Sequence, residues 1–425
     1  MATTQTQLND EVADATTRWL HSGLQQLGAL TVSTQDFLIG VKEREFSYLD
    51  SSGSTRTSIL EADNAASMVE KNPSVFLYGP GEAKFEDRPV PTIEDSHDVI
   101  IRVNYVGVCG SDVHFWLHGG IGAGKITPGS PLVMGHEASG TIHSIGSAVK
   151  SLSPGDRVAM EPGFPCRWCA RCKEGRYNLC KDMKFAASPP AAHGTLCKYF
   201  KLPEDYCFKL PDHVSLEEGV LLEPTSVAVH MAKLVNVKVG ESVVVFGAGT
   251  VGLLCGAVAE AFGAEKVVLV DILERKLEFA KGFVKGCGTF TPDSKATPEE
   301  NAARLINEHD LGDGADVVME ASGAEPSVQT GVHVLRTGGS YVQGGLGRPD
   351  ICFPIVAMAA KELTMKGCFR YATGDFKVAL SLISSGKLPV KELITKVVNF
   401  EQATEAWEMT RKGEGIKTLI QGVQG

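Results

Sequence analysis

Four cysteines with the spacing of metal ligands stand within fifteen residues of the chain. They are Cys166, Cys169, Cys172 and Cys180, in the pattern C-x2-C-x2-C-x7-C. Four thiolates at this spacing can enclose one tetrahedral Zn²⁺ and leave no open coordination position, as structural zinc sites do. The alternatives are four free thiols, a poor coincidence at this spacing, or two disulfides, which suit a reducing compartment badly. The pattern therefore predicts a structural zinc ion.

A second group of candidate ligands precedes these cysteines. Cys109 stands in V-C-G-S-D-V-H, and His136 and Glu137 stand in G-H-E. One sulfur, one imidazole and one carboxylate form a mixed site that can leave a position for water or substrate, as catalytic zinc requires. A single histidine, taken alone, is more often a core or surface residue than a ligand. The neighbouring cysteine and the nucleotide-binding pattern below favour a catalytic metal, because removing hydride from an alcohol needs a Lewis acid and a hydride acceptor.

A glycine-rich turn, G-A-G-T-V-G at 247–252, follows a short apolar run and opens a helical pattern. Gly247 permits the tight turn, Gly249 lets backbone N–H groups approach a pyrophosphate, and Gly252 lets the helix pack close to the strand. Glycines used only for packing are the alternative. The strand before the turn and the helix after it favour a dinucleotide site.

Asp271 ends the next apolar run, 19 residues after Gly252. A carboxylate at this place would accept hydrogen bonds from the adenosine ribose hydroxyls and repel a 2′-phosphate, which favours NAD over NADP. Arg275 and Lys276 lie close enough in sequence to weaken this preference but not to reverse it.

The composition describes an ordinary globular chain, long enough for two or three domains. It has 425 residues, of which 43% are hydrophobic and 22% charged, and a net charge of -10. The acidic balance argues against nucleic acid or an anionic membrane as the main partner, and no apolar run approaches the roughly 18–20 residues of a transmembrane helix. Eleven cysteines, four of them clustered, suit metal binding in a reducing compartment. We therefore expect a cytoplasmic protein.

The elements that must position these residues fall into two patterns. From about residue 72 to about 226, short strands broken by turns predict a β-rich region, with strands at 74–78, 99–108, 138–145 and 158–160 and a loop at 118–131. From 243 onward, strands alternate with helices, which predicts a parallel sheet. The strands are at 243–246, 267–270, 317–321 and 340–342, and the helices at 250–262, 273–284 and 325–335. The last fifty or so residues no longer show this alternation of strands and helices, and they could return to the β-rich region.

The first seventy residues contain no proline and no cysteine. We expect a polar, mostly flexible extension over 1–70; the alternative is a docking or regulatory helix over 9–27. The segment lacks the Arg-rich, acid-poor character of a transit peptide and the apolar core of a signal peptide.

Taken together, these motifs resemble the zinc-containing medium-chain dehydrogenase/reductase superfamily, and within it the polyol branch. The resemblance runs from about residue 72 to the C-terminus and rests on V-G-V-C-G-S-D-V-H, M-G-H-E-A-S-G, P-G-D-R-V-A-M-E-P-G, G-R-Y-N-L-C, L-L-E-P-T-S-V-A-V-H, G-A-G-T-V-G and G-C-F-R-Y. Residues 1–67 depart from the family pattern. The resemblance implies a Rossmann doubly wound parallel sheet in an NAD-binding domain at 227–368. It also implies a GroES-like β-rich catalytic domain at 71–226, completed by 369–425.

The resemblance also assigns roles at the catalytic zinc. Cys109, His136 and Glu137 fall on the zinc ligands of the family. Glu223, in L-L-E-P, stands where simple alcohol dehydrogenases place a cysteine ligand. In the polyol branch this glutamate reaches the zinc directly or through water and contacts the substrate. Ser111 falls on the hydroxyl residue that hydrogen-bonds the reacting alcohol.

Further contacts follow from the same resemblance. Asp112 would orient a zinc ligand, and Arg370 and Tyr371 match a segment that contacts substrate and nicotinamide. Phe115 replaces a tyrosine of the sorbitol enzymes and so removes a hydroxyl from the pocket. The implied cofactor contacts are Gly247, Gly249, Val251, Gly252, Asp271, Lys276, Gly345, Leu346, Phe369 and Arg370.

The implied function is zinc-dependent oxidation of a secondary hydroxyl of a polyol to a ketose, with hydride transfer to NAD. Xylitol to D-xylulose is the first expectation; sorbitol (L-iditol) 2-dehydrogenase and L-arabinitol 4-dehydrogenase are the alternatives. The family also implies a homotetramer or homodimer. Two rivals come from other classes. A non-catalytic NAD-binding protein should lack the catalytic ligands, which are present here. A zinc-ribbon nucleic-acid module should have a basic surface, whereas this chain is acidic.

Overall fold

The computed structural model describes residues 45–49, 55–59, 70–122, 124–190 and 192–424. The chain divides into two compact units. In the first, the described residues are two strands, Glu45–Leu49 and Thr55–Ile59, paired antiparallel. Most of the extension expected over 1–70, including the alternative helix at 9–27, lies outside the described residues. The second unit begins at Glu70. Within the described ranges, no helix has the length and apolar character needed to cross a membrane.

A seven-stranded sheet forms the β-rich part of the second unit. Its central strand, Asp98–Gly107, pairs antiparallel with Glu137–Ile145 along one edge and with Tyr199–Pro203 and Lys417–Gln421 along the other. The C-terminal segment therefore returns to the β-rich region, as predicted. Apart from Tyr199–Pro203, which pairs only with the central strand, the strand order across the sheet is Cys207–Lys209, Arg157–Met160, Glu137–Ile145, Asp98–Gly107, Lys417–Gln421, Ile394–Val398.

A six-stranded sheet, parallel throughout, forms the second part of this unit. Its order is Gly288–Phe290, Lys266–Val270, Ser242–Phe246, Ala315–Glu320, Leu335–Gln343, Thr364–Gly367, which is the Rossmann order. Successive side chains of a strand point to opposite faces, so Val243 and Val245 join one apolar core and Val244 and Phe246 join another. The predicted combination of a parallel α/β sheet with a β-rich region is confirmed.

Helices cover both sheets and connect their strands. Those of the parallel sheet are Thr250–Ala261, Glu274–Phe283, Pro298–Glu308, Glu325–Val334 and Ile355–Ala360. The others are Gly110–His118, Ala170–Lys173, Leu216–Val220, Leu222–Val235, Asp375–Ser384 and Ala403–Arg411. Short strands complete the unit at Asn72–Gly79, Glu82–Arg88, Gly120–Ile121, Gly124–Lys125, Leu132–Val133, Gly163–Phe164 and Lys184–Phe185. Single 3-10 turns are at Tyr177–Leu179, Glu204–Tyr206, Val390–Leu393 and Phe400–Gln402.

The structure corrects the loop predicted at 118–131. Residue 118 is the end of the helix Gly110–His118, and the strands Gly120–Ile121 and Gly124–Lys125 pair as a small hairpin. The helix ends because Gly119 adopts a left-handed conformation with φ of 68°, from which its N–H donates to the carbonyl of Phe115.

The helix Leu222–Val235 was not predicted from the sequence. The proposed domain boundary between 226 and 227 falls inside it. The hydroxyls of Thr225 and Ser226 donate to the carbonyls of Leu221 and Leu222 one turn earlier, so these residues do not end the helix. The division into domains at these boundaries stays a prediction.

The C-terminal helix Ala403–Arg411 braces the helix Gly110–His118, which follows Cys109. The rings of Trp116 and Trp407 pack with centroids 5.3 Å apart. The indole N–H of Trp116 donates to Glu408 Oε1 at 2.7 Å. Residues near the C-terminus therefore help to hold the helix that begins at the first candidate metal ligand.

Candidate active site

The N-terminus of the helix Gly110–His118 carries the first candidate ligand. Cys109 immediately precedes this helix, and its backbone N–H donates to Asp112 Oδ2 at 2.9 Å. The other carboxylate oxygen of Asp112 lies 3.8 Å from His136 Nδ1. The hydroxyl oxygen of Ser111 lies 3.5 Å from His136 Nε2. Asp112 therefore holds the turn that carries Cys109, and its carboxylate lies on the Nδ1 side of the imidazole, which leaves Nε2, near the Ser111 hydroxyl, as the nitrogen that would bind a metal.

Glu137 begins the strand Glu137–Ile145, and its carboxylate is buried. It forms an ion pair with Lys417, which is also buried, and Lys417 Nζ donates to the carbonyl of Val108 at 3.0 Å. Gly107 lies opposite Glu137 in the sheet, and a Cβ at that position would overlap the carboxylate. The missing side chain at residue 107 is what makes room for Glu137.

The ligand atoms of Cys109, His136 and Glu137 all lie within 4.8 Å of one another, so one metal ion fits among them. A thiolate, an imidazole and a carboxylate form a donor set that suits zinc. Glu223 lies buried in the first turn of the helix Leu222–Val235. In the part of the chain that the structure describes, Glu223 is not a member of this cluster. Its approach to the metal stays a prediction.

Burial and neighbouring charges together set the pKa values of His136 in this cluster and of the nearby Glu223. Burial raises the pKa of Glu223 to about 7, and the charge of Glu137 adds to that rise. Burial lowers the pKa of His136, but the hydrogen bond with Cys109 and the charge of Asp112 outweigh it and raise that pKa to about 10. Zinc binds the thiolate and the neutral imidazole, so metal binding here releases a proton.

The predicted substrate segment lies beside this cluster. Arg370 has a φ of 57°, a left-handed conformation that costs a residue with a Cβ about 1–2 kcal/mol. Its guanidinium lies 3.6 Å from the ring centroid of Phe185 and 4.6 Å from that of Phe369, and burial lowers its pKa to about 10. The Phe185 ring also lies 5.7 Å from that of His136. Tyr371 is buried, and its hydroxyl has no hydrogen-bond partner among the described residues.

The four clustered cysteines meet in a lobe, residues 166–180, as their spacing predicts. Their sulfur atoms all lie within 4.8 Å of one another. The backbone N–H of Cys169 donates to Cys166 Sγ at 3.3 Å, and the backbone N–H of Cys166 donates to Cys180 Sγ at 3.4 Å. Backbone N–H groups, that of Cys169 first, lower the pKa of the Cys166 thiol to about 7. All eleven cysteines of the chain are free, so the lobe offers four thiols to a metal and no disulfides.

The glycine-rich turn has the shape that a pyrophosphate needs. Gly247 has a φ of 96°, and a Cβ on Gly252 would overlap the carbonyl of Gly247. No atom lies within 4 Å of the place where a Cβ of Gly249 would stand, so this face of the turn is open. Gly249 caps the N-terminus of the helix Thr250–Ala261, whose N–H groups favour an anion.

Asp271 is tied to the same turn. Its Oδ2 accepts the backbone N–H of Ala248 at 2.8 Å, and its Oδ1 accepts that of Leu273 at 2.9 Å. The carboxylate is therefore fixed beside the open face of the turn. Arg275 points elsewhere, because its guanidinium donates to the carbonyl of Gly413 at 2.9 Å. Lys276 is half-buried in the helix Glu274–Phe283.

The other predicted cofactor residues lie in two places. Val251 is half-buried in the first turn of the helix after the glycines. Gly345 and Leu346 line a cleft of about 840 Å³ that also includes His114, Tyr341 and Gln343, but none of the residues of the glycine turn. A Cβ on Gly345 would overlap the backbone nitrogens of Ser322 and Gly323 in a neighbouring loop, so this position accepts only glycine.

Sequence reasoning missed three residues that shape the site: Lys417, Phe185 and Asp375. A signal existed for Lys417, because it is a lysine at the start of the apolar run K-T-L-I in the final strand. Phe185 and Asp375 carry no local signal, since their roles arise only from contacts with distant residues.

Two family models match the chain. The alcohol dehydrogenase GroES-like domain matches residues 95–212, and the zinc-binding dehydrogenase model matches residues 250–385. A relative named probable D-xylulose reductase A from Aspergillus terreus is 57% identical, over 84% of this chain and 100% of the relative. The D-xylulose reductase A of Aspergillus oryzae is 58% identical, over 83% of this chain and 97% of the relative.

Solved structures show the same fold. An oxidoreductase of unknown specificity from Escherichia coli superposes with a TM-score of 0.77 at 33% identity, over 84% of this chain and 100% of that one. The L-idonate 5-dehydrogenase of Escherichia coli has a TM-score of 0.75 at 26% identity, over 83% of this chain and 98% of that one.

The two metal clusters are expected to respond differently to loss of one thiol. Cys109→Ser should leave one zinc ion per chain and remove nearly all turnover, with little change in the melting temperature, because an open site serves chemistry. Cys169→Ser should also leave one zinc ion but lower the melting temperature first, since a closed thiolate site contributes folding free energy. Metal analysis and thermal unfolding measure both. Equal losses of melting temperature and activity in the two variants would contradict this division.

Cofactor preference is expected to depend on Asp271. Asp271→Ala should raise the Kd of NADH about 10- to 100-fold, because charge-assisted hydrogen bonds to the ribose are lost. It should therefore narrow the preference for NAD over NADP. Titration by cofactor fluorescence measures this, with Arg275→Ala as the matched control. If the parent protein uses NADP as readily as NAD, or if Arg275→Ala alters the preference, Asp271 does not govern the choice.

Proposed function

This chain belongs to the zinc-binding alcohol dehydrogenase family, and we propose that it oxidises a secondary hydroxyl of a polyol to a ketose with NAD, with xylitol to D-xylulose as its main reaction. The observation that carries the proposal is the 57% identity, along the full length of the relative, to a protein named as a probable D-xylulose reductase. The buried Glu223 supports it, because a carboxylate can hydrogen-bond a second hydroxyl of the substrate.

The chain's own side chains supply a fixed cradle for that reaction. When bound, zinc acts as a Lewis acid on the alcohol and NAD accepts the hydride. Cys109, His136 and Glu137 would hold the metal, and Asp112 keeps the first two in place through the contacts at 2.9 and 3.8 Å. The hydroxyl of Ser111, 3.5 Å from His136 Nε2, is placed to accept a hydrogen bond from the reacting hydroxyl, whose proton would leave by relay through Ser111, to the Glu223 carboxylate or to ordered water.

Substrate orientation falls to two further residues. The carboxylate of Glu223 would accept hydrogen bonds from a hydroxyl next to the reacting one, and the guanidinium of Arg370 would donate to another. Ethanol lacks these partners, and a site built to hydrogen-bond a substrate rejects analogues without them. Phe115 cannot add a hydrogen bond of this kind, because its side chain has no polar group and belongs to the same apolar core as Val75 and Val103.

We propose xylitol as the substrate, ahead of sorbitol and L-arabinitol, because the relatives described above are named D-xylulose reductases. The non-catalytic and nucleic-acid rivals are disfavoured. A catalytically dead relative has no reason to keep a thiol, an imidazole and a carboxylate within 4.8 Å of one another. A zinc ribbon for nucleic acid would not bury part of its lobe against the predicted substrate segment, as Asn178 does beside Phe369.

A homodimer or homotetramer and a cytoplasmic location complete the proposal. The strand Thr364–Gly367 ends the parallel sheet, and one of its edges has no partner strand among the described residues; proteins generally cover such edges. Ile355 and Val356 in the preceding helix are 58% and 77% exposed, which suits burial against a second copy. The clustered free thiols suit a reducing compartment.

Purified full-length protein should reduce NAD with xylitol as the best substrate of a polyol panel. Sorbitol should be weaker but measurable, and kcat/KM for ethanol should be lower by about 10⁴-fold or more. Glu223→Gln should lose most of the xylitol activity, whereas Glu265→Gln, an exposed carboxylate far from the cluster, should keep it. Comparable kcat/KM on ethanol would overturn the polyol proposal. A higher kcat/KM for L-arabinitol than for xylitol would overturn only the choice of substrate within the polyol branch. A monomeric mass measured by light scattering would overturn only the proposed oligomer.

A further inference from the structure

The segment 368–375 carries Arg370 and Tyr371 without belonging to a helix or strand along most of its length. Its start is tied to the parallel sheet, because the N–H of Cys368 donates to the carbonyl of Gln343 at 2.7 Å. Arg370 adopts a left-handed conformation, with φ of 57°. Residues with a Cβ stay in that conformation only where surrounding contacts enforce it. The contacts that enforce it here come from two distant parts of the chain.

The first set of contacts comes from the four-cysteine lobe. Asn178 is buried, and its side-chain Nδ2 donates to the carbonyl of Phe369 at 2.7 Å. The N–H of Thr373 donates to the carbonyl of Gly175 at 3.1 Å. Gly175 and Asn178 both lie between Cys172 and Cys180. These two hydrogen bonds lie on either side of Arg370 and Tyr371 in the sequence, so the lobe binds the segment both before and after these residues.

The second set of contacts comes from the helix Leu222–Val235, whose first turn carries Glu223. Asp375 is buried, and its carboxylate lies 2.8 Å from His230 Nδ1 and 2.7 Å from Lys233 Nζ. The same carboxylate accepts the N–H of Ala372 at 2.7 Å. The far end of the segment is therefore held by the helix that presents Glu223.

From these contacts we propose that Asn178 is a positioning residue for Arg370, and that the four-cysteine lobe serves the substrate pocket as well as stability. The peptide carbonyl that Asn178 holds is the one joining Phe369 to Arg370, so its hydrogen bond restrains the backbone at the strained residue. A metal bound by the four thiols would keep the loop from Cys172 to Cys180 in shape, and this loop holds the segment. The part that concerns substrate rests on the proposed polyol dehydrogenase function.

The kinetic test uses the full-length metal-loaded protein with Asn178→Ala and with Asn178→Asp, which keeps the shape but loses the donor. Both should raise KM for xylitol at least tenfold, with two zinc ions per chain retained. Trp168→Ala is the matched control, because Trp168 lies in the same lobe and is 79% exposed. This variant should change neither the KM for xylitol nor the number of zinc ions per chain. In an Arg370→Ala background, Asn178→Ala should have no further effect on KM, since the two residues act as one unit. Additive losses in the double variant would overturn the proposal.

Hydrogen–deuterium exchange tests the same contact without substrate. The peptide 368–375 should exchange at least tenfold faster in Asn178→Ala and in Cys169→Ser than in the parent protein, and at the parent rate in Trp168→Ala. Unchanged exchange in both variants would overturn the proposal, even if their activity fell. If exchange rises as expected but the parent protein oxidises no polyol, the lobe still positions the segment and only the proposed substrate is wrong.

Discussion

The site depends on a buried ion pair between Glu137 and Lys417. Glu137 begins a strand on one side of the central strand Asp98–Gly107, and Lys417 begins the C-terminal strand on the other side. Both side chains are buried, and removing one partner of such a pair typically costs about 3–5 kcal/mol because the other charge stays buried and unpaired. The glycine at residue 107 leaves room for the Glu137 carboxylate, which a Cβ there would overlap. The ion pair therefore ties the C-terminal strand to one of the three candidate metal ligands.

That constraint explains why the site is assembled from separate stretches of chain. Cys109 follows the central strand, and His136 precedes the strand of Glu137, so both ligands stand at the same end of one sheet. Glu223 arrives on a helix, and Arg370 arrives on the segment that leaves the parallel sheet. Each of these carriers is held by a polar contact to another part of the chain. The metal cluster thus forms where the ends of strands and helices come together. Polar side chains at these positions do not interrupt the secondary structure.

Sequence alone predicts what is local along the chain. Within the four-cysteine lobe and the glycine turn, the interacting residues are only a few positions apart in the sequence. Their geometry can therefore be predicted from the sequence pattern. The strands with alternating or continuous apolar runs lie within a few residues of their predicted bounds. The helices Gly110–His118 and Leu222–Val235 were missed because ligand motifs and hydroxyl residues hide their periodicity. The lysine at the start of K-T-L-I signals a buried charge, but the partner of Lys417 could not be predicted, nor could the roles of Asn178 and Asp375, because each contacts a residue more than a hundred positions away.

Because Lys417 pairs with the buried Glu137 carboxylate, we expect it to hold that carboxylate in place among the metal ligands. Metal analysis of Lys417→Met tests it most directly, with Lys396→Met on the exposed neighbouring strand as the control. Lys417→Met should keep the zinc of the four-cysteine lobe, lose the zinc at Cys109 and His136, and lose NAD-dependent turnover, while Lys396→Met should keep both ions. Two zinc ions per chain and unchanged turnover in Lys417→Met would contradict it.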